Sequence, residues 1–131
     1  MDSQERRRSR RVRPQASDPV RVELRCGESG EPIVMDAVDV AIHGLGLQAN
    51  AAQAQALDAE LGIDAEFTLP GQLDRLGLPV LIRQQRQVGE HIHLGLEFAF
   101  EDGEQQDWAS AALAAFVAER LAEERSLGRV A

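Results

Sequence analysis

Residues 91–100 read His-Ile-His-Leu-Gly-Leu-Glu-Phe-Ala-Phe, a run in which apolar side chains alternate with polar or small ones. Successive side chains of an extended chain point to opposite faces, so the apolar residues spaced two apart share one face: Ile92, Leu94, Leu96 and Phe98. A period of two over this length predicts a β-strand with one buried face. The segments before and after it decide what that face packs against.

Five segments upstream show strand-like patterns and are separated by turn-forming residues. They are residues 20–25, 33–40, 65–69 and 78–85, with a short segment around Leu45 and Leu47. The stretch 27–32, Pro70-Gly71 and Gly89 mark the turns. Residues 50–62 are rich in alanine and glutamine and predict a turn or two of helix within a connection.

The pattern changes near the C-terminus, where apolar residues recur at helical spacing: Trp108, Ala112, Leu113, Phe116, Val117 and Leu121. We predict Asp107 as the N-cap, Trp108 as the residue that packs the helix onto the strands, and Gly128 as its end. Six short strands followed by one amphipathic helix predict a mainly β fold. The expected architecture is a six-stranded antiparallel β-barrel with a C-terminal α-helix.

Length and composition narrow the class of protein. The chain has 131 residues, of which 44% are hydrophobic and 27% charged, a balance typical of one globular domain. No run approaches the roughly 20 apolar residues of a membrane span, and no apolar segment follows the N-terminal arginines as in a secretory signal. Cys26 is the single cysteine and cannot form an internal disulfide. We therefore expect a cytoplasmic protein that does not insert into membranes.

Charge is distributed unevenly along the chain. The formal net charge is −8, and all fourteen basic residues are arginine. Six arginines lie in residues 1–13 beside Asp2 and Glu5, so this segment carries +4 and the remainder −12. We predict a flexible arginine-rich arm over residues 1–13 and a single domain over residues 14–131. The acidic body argues against general binding to DNA, RNA or anionic lipid.

Two short motifs carry the functional signal. The first lies in the arm, where Arg7-Arg8-Ser9-Arg10-Arg11 places two arginines four positions apart. The second is Asp39-Val40-Ala41-Ile42-His43-Gly44, at the end of one predicted strand and before the next. Either motif alone is compatible with a solvated charge run or an ordinary turn.

Together, in this order and within a six-stranded pattern, the two motifs resemble the PilZ family. That family has an RxxxR motif on an N-terminal loop and a [DN]xSxxG motif at the junction of two early strands. The closing Leu94-Gly95-Leu96-Glu97-Phe98 resembles the glycine-containing strand that precedes the family's C-terminal helix. The resemblance covers essentially residues 5–125.

The resemblance implies a receptor for cyclic di-GMP, a ligand with two phosphates and two guanines. Arg7 and Arg11 would contact phosphate and guanine, with Arg6 or Arg8 assisting. Asp39 would accept hydrogen bonds from a guanine edge, and Gly44 would permit a tight turn and close backbone approach. Binding would order residues 5–13 against the barrel and create a surface for a downstream protein partner.

One position departs from the motif, because Ala41 stands where the family has serine. A typical net hydrogen bond contributes about 1 kcal/mol, so this loss predicts weakened rather than abolished binding. The alternative is a PilZ-like protein-interaction module that has lost cyclic di-GMP binding and acts in motility or exopolysaccharide regulation. Ala41 favours that alternative, and the retained arm and Asp39 argue against it.

The remaining polar residues suggest no further chemistry. No nucleophile–base pair or phosphate-cradling loop appears, so we expect no enzymatic activity. His91 and His93 share a strand face without a further ligand cluster, so we expect surface exposure and no metal site. An arm that binds nucleic acid fits the arginines but not the acidic body. Arg83 and Arg86 lie in a predicted strand and could reach a ligand on the barrel surface.

Overall fold

The structure is a computed structural model that describes residues 10–27, 30–57 and 62–130, with side chains described up to residue 126. Three arginines assigned to the ligand site, Arg6, Arg7 and Arg8, lie outside the described residues. The strands are β1 (Arg21–Cys26), β2 (Ile33–Val40), β3 (Gly44–Ala49), β4 (Ile63–Thr68), β5 (Arg75–Val88) and β6 (His91–Phe98). The helices are α1 (Ala51–Ala56) and α2 (Gly103–Val130).

The six strands close into an antiparallel barrel in the order β1-β2-β3-β6-β5-β4. The predicted six-stranded antiparallel barrel with a C-terminal helix is therefore confirmed. The strand β5 is longer than predicted at both ends, because its first residues pair with β4 and its last residues continue as a hairpin with β6 through a turn at Gly89. The predicted turn or two of helix is α1, which begins at an Asn50 capping box.

The period-two patterns bury one face of each strand inside the barrel. Leu24, Leu78 and Leu94 are completely buried, each on a different strand. Phe67 and Phe98 stack with their ring centroids 6.1 Å apart. Each fully buried side chain of this kind stabilises the fold by about 1.5–3 kcal/mol relative to exposure.

The helix α2 begins at Gly103, four residues before the predicted N-cap, so the prediction for Asp107 is wrong. Asp102 precedes the first turn, and its Oδ1 accepts a hydrogen bond from the Gln105 backbone N–H at 2.7 Å. The Gln105 side chain accepts in turn from the Glu101 N–H at 2.7 Å. These two bonds satisfy donors that a helix start leaves without partners. The predicted end at Gly128 is also wrong, since α2 continues to Val130.

The residues that attach α2 to the barrel differ from the predicted anchor. Trp108 leaves 47% of its surface exposed. Ala109 and Leu113 are completely buried, and Phe116 is nearly so. Because the helix starts at Gly103, these three buried residues face the barrel, and Trp108 lies beside them at the edge of the buried face. The prediction that Trp108 anchors the helix is therefore wrong.

The end of the segment assigned to the arm lies against the barrel. Val12 exchanges two backbone hydrogen bonds with Val40, of 2.9 and 2.8 Å, and is only 2% exposed. One residue further, the Arg13 carbonyl accepts a hydrogen bond from Arg120 Nε at 2.8 Å. The barrel and α2 therefore hold the chain already at residues 12–13, within the stretch that the sequence pattern assigned to the arm.

Candidate functional site

Asp39 points outward because β2 contains a register shift. The pairing of β2 with β3 is irregular between Ala37 and Asp39, which leaves Val38 as the extra residue. Before the shift Met35 and Ala37 are buried, and after it Val40 is buried. An uninterrupted strand would have directed position 39 toward the core together with Met35 and Ala37, so the bulge is what brings the carboxylate to the outer face.

Arg11 meets this carboxylate through the pairing of Val12 with Val40. Since Val12 points into the core, its neighbours Arg11 and Arg13 lie on the outer side, where both are exposed. Arg11 Nη1 lies 2.6 Å from Asp39 Oδ1, with side-chain exposures of 49% and 19%. The last arginine of the first motif and the aspartate of the second are thus in direct contact.

His93 approaches Asp39 from the other side. It lies on β6, and its Nε2 is 3.8 Å from Asp39 Oδ2, too far for a direct hydrogen bond. Its Nδ1 is buried and has no hydrogen-bond partner among the described residues. The tautomer that carries the proton on Nε2 would direct an N–H toward the carboxylate. Arg11 and His93 therefore face different oxygens of the same aspartate.

A groove runs along the outer face from this cluster to the β5–β6 hairpin. Its volume is about 410 Å³, within the range of about 300–1,000 Å³ typical of small-ligand pockets. Its polar lining residues come from the arm and four strands: Arg11, Arg13, Asp39, Gln48, Gln84, Arg86, His91 and His93. Three arginines against one carboxylate favour an anionic ligand, and the glutamines add neutral donors and acceptors.

A second depression of about 280 Å³ adjoins the groove and shares Arg11, Gln84 and Gly95 with it. His43 and Arg83 line this depression, and Arg83 is paired with Glu97. The guanidinium of Arg83 is therefore already engaged, whereas Arg86 in the main groove has no ion-pair partner among the described residues.

The other expected site residues lie in the turn between β2 and β3. Ala41 is 1% exposed, and its N–H donates to the Gly44 carbonyl at 3.0 Å. A Cβ on Gly44 would lie 1.9 Å from the Leu96 carbonyl oxygen, so the close approach of β3 to β6 requires glycine there. Neither residue lines the groove.

The sequence patterns did not single out Arg13 or Gln48 and treated His93 as an ordinary surface residue. Strand alternation places Gln48 and His93 on outward faces, but the sequence does not reveal that β3 and β6 are neighbours. The structure pairs Gln48 directly with His93. Cross-strand pairing was thus the missing signal.

A further cavity, between residues 15–18 and α2, is small at about 180 Å³, and its acidic residues include Asp18, Glu119 and Glu123. Within residues 10–27, 30–57 and 62–130, no group of three or more metal-ligating side chains is found. The helices described are too short or too polar to cross a membrane.

Comparison with solved structures places this geometry among known folds. The PilZ domain of YcgR from Escherichia coli with cyclic di-GMP matches with a TM-score of 0.63 at 17% identity. The match covers 92% of this chain and 97% of that one. This chain has a PilZ fold. No protein-family model matches the sequence, and no curated protein matches it significantly.

Two larger proteins contain the same fold. MrkH from K. pneumonia, in complex with cyclic di-GMP, matches with a TM-score of 0.71 at 16% identity over 92% of this chain and 55% of that chain. MotI/DgrA, an inhibitor of motility from Bacillus subtilis, matches with a TM-score of 0.65 at 14% identity over 88% and 52%. The chain thus spans about half the length of these two proteins. At such identities the likeness concerns the fold alone.

Proposed function

We propose that this chain is a receptor for cyclic di-GMP that binds the messenger in the outer-face groove. The observation that carries the proposal is the contact of Arg11 with Asp39 at the groove's edge. These residues come from the two motifs that resemble PilZ, and they are 28 positions apart in sequence. The cyclic di-GMP complexes of YcgR and MrkH, which share the fold, support the same ligand class.

The groove presents the chemical groups that this ligand requires. Cyclic di-GMP carries about two negative charges, and arginine can bind phosphate bidentately or donate to guanine O6 and N7. Arg11, Arg13 and Arg86 all line the groove. Asp39 is an acceptor suited to the N1–H and N2–H₂ donors of guanine. We assign Arg11 to phosphate or guanine O6/N7 and Asp39 to a guanine edge.

The ligand has to compete with the existing ion pair. A partly exposed pair of this kind contributes about 0–1 kcal/mol, whereas micromolar binding corresponds to about −8 kcal/mol. Exchange of Asp39 for a phosphate as the partner of Arg11 therefore costs little. In the free chain the pair holds both side chains beside the groove, which reduces the entropy lost on binding.

The remaining residues of the two motifs have roles that follow from the resemblance. Arg7, assisted by Arg6 or Arg8, would cover the ligand from the arm. Gly44 keeps β3 close to β6 and so supports the turn next to Asp39. Ala41 occupies the serine position and would leave one ligand group without its usual hydroxyl.

Calorimetric titration with cyclic di-GMP tests the proposal, with GTP and cyclic di-AMP as control ligands. We expect saturable binding selective for cyclic di-GMP, weakened roughly 10- to 150-fold by Arg11→Ala because charged hydrogen bonds contribute about 1.5–3 kcal/mol. Arg21→Ala is the matched control, since Arg21 is highly exposed on β1 and pairs only loosely with Asp36. Equal losses in both variants would contradict the assigned site.

Ligand binding would also alter the arm and thereby signal to a protein partner. Val12 is already hydrogen-bonded to Val40, so any ordering of the arm by the ligand would concern the residues that precede Val12. We expect amide hydrogen exchange in the peptide covering residues 5–9 to slow when cyclic di-GMP is added. Unchanged exchange at saturating ligand would exclude arm ordering as the signal.

The alternative function is a PilZ-fold interaction module without ligand binding. The buried Ala41 favours it, because the motif serine is missing and no other hydroxyl lines the groove among the described residues. Absence of both heat and thermal shift with cyclic di-GMP would support this alternative. Arg11 and Asp39 would then fix the chain entry to the barrel as a structural pair.

A further inference from the structure

We propose that Gly46, which lies outside both motifs, is the positioning residue for the Asp39 carboxylate. The inference rests on the proposed function in so far as Asp39 receives the ligand. Gly46 on β3 is the register partner of Asp39 on β2, so the two backbones lie side by side. The aspartate side chain lies over the space that a side chain at position 46 would fill.

The distances leave no room for a methyl group at this position. A Cβ built on Gly46 would lie 2.6 Å from Asp39 Oδ1, 2.7 Å from Oδ2 and 2.8 Å from Cγ. Cβ contacts under 3.0 Å essentially do not occur, so one of the two groups would have to move. The group able to move is the Asp39 side chain, and its movement would disturb the 2.6 Å contact between Asp39 Oδ1 and Arg11 Nη1.

Three neighbours therefore determine where the carboxylate lies. Arg11 faces Oδ1, His93 faces Oδ2, and the absent side chain of Gly46 leaves the space beneath both oxygens. Gly46 has no left-handed backbone conformation, so the backbone itself would accept alanine. The three atoms nearest to a Cβ at this position all belong to the Asp39 carboxylate, which is therefore the first obstacle to a side chain there.

Gly44 and Gly46 thus perform different tasks although they are two residues apart. The Cβ of a residue at 44 would collide with the Leu96 backbone, which is part of the barrel wall. The Cβ of a residue at 46 would collide only with the Asp39 side chain among its three nearest atoms. The motif glycine supports the barrel, and the glycine outside the motif shapes the site.

A double-mutant cycle of Gly46→Ala with Asp39→Ala tests this assignment. The first readout needs no ligand: amide exchange at Val12 and Val40, whose mutual hydrogen bonds lie beside the ion pair. The second is the affinity for cyclic di-GMP. Gly77→Ala is the matched control, because a Cβ there would meet only Glu66 Cγ, at an ordinary 3.8 Å.

We expect Gly46→Ala to accelerate exchange at Val12 and to weaken ligand binding about tenfold, as loss of one charge-assisted contact would. In the Asp39→Ala background the same substitution should have no further effect, since no carboxylate remains to be displaced. Any fall in Tm caused by Gly46→Ala should likewise be restored by Asp39→Ala. The Gly77→Ala chain should match the wild type in both readouts.

Independent effects of the two substitutions would overturn the proposal. A Tm loss that Asp39→Ala does not restore would do the same, because it would place Gly46 in the barrel wall like Gly44. Failure of the wild-type chain to bind cyclic di-GMP would overturn the proposed function only. The amide-exchange measurements on the double-mutant cycle need no ligand, so they would still decide the role of Gly46.

Discussion

Position 41 carries a buried alanine where the resemblance to PilZ domains places a serine. We expect Ala41→Ser to strengthen cyclic di-GMP binding by about fivefold, the equivalent of one net hydrogen bond of about 1 kcal/mol. The gain should be smaller than the loss caused by Arg11→Ala, because a neutral hydrogen bond contributes less than a charged one. Titration of both variants beside the wild type measures the difference.

The control for this substitution is Ala41→Cys, which adds a group of similar size that hydrogen-bonds weakly. A gain with serine but not with cysteine would assign the effect to the hydroxyl. Equal gains would assign it to packing. A loss with serine would mean that the new hydroxyl lacks a partner in a buried place, which costs about 1–3 kcal/mol.

Single residues were predictable where the signal was local. Arg11 and Asp39 belong to sequence motifs, and the structure brings them together at 2.6 Å. Gly46 on β3 and His93 on β6 lie next to Asp39, and this proximity depends on the register of three strands. Side-chain alternation predicts which face of a strand each residue lies on, but it does not predict which residue lies beside it on the next strand. The proximity of Gly46 and His93 to Asp39 could therefore be seen only in the folded structure.

Among the elements, the strands were easier to predict than the start of the helix. Alternation repeats along a strand and so identifies it from several residues, whereas a helix start depends on one capping contact. Both Asp102 and Asp107 precede apolar residues at helical spacing. Only Asp102 is followed three positions later by a glutamine or glutamate, namely Gln105. That spacing was the signal in favour of Asp102.

The two aspartates give a direct test of where α2 begins. We expect Asp102→Ala to lower the free energy of unfolding by about 1 kcal/mol, because it removes the acceptor for the Gln105 N–H. Asp107→Ala should change it by less than about 0.5 kcal/mol, as is usual for an exposed residue without such a contact. Urea denaturation of both variants provides the comparison. The reverse order would place the N-cap at Asp107.

At the scale of the whole molecule, the charged residues that line the outer-face groove are mainly basic, although the rest of the chain is strongly acidic. Residues 14–131 carry −12 in total, but among the residues that the structure describes Asp39 is the single carboxylate lining the groove. A compact dianion can approach the arginines of the groove, whereas a long polyanion would also meet the acidic surface around it. Overall charge therefore favours a small messenger over nucleic acid.

This charge distribution predicts how salt affects binding. Between about 50 and about 200 mM NaCl, a protein with 6–10 duplex phosphate contacts loses about 10³- to 10⁵-fold in affinity. Cyclic di-GMP offers two phosphates within one partly enclosed groove, so we expect its affinity to fall by less than about tenfold over the same range. Calorimetry at the two salt concentrations, with a fluorescently labelled long DNA duplex in parallel, measures both ligands. Tight duplex binding at low salt that displaces cyclic di-GMP would show that the arginines of the arm serve nucleic acid instead.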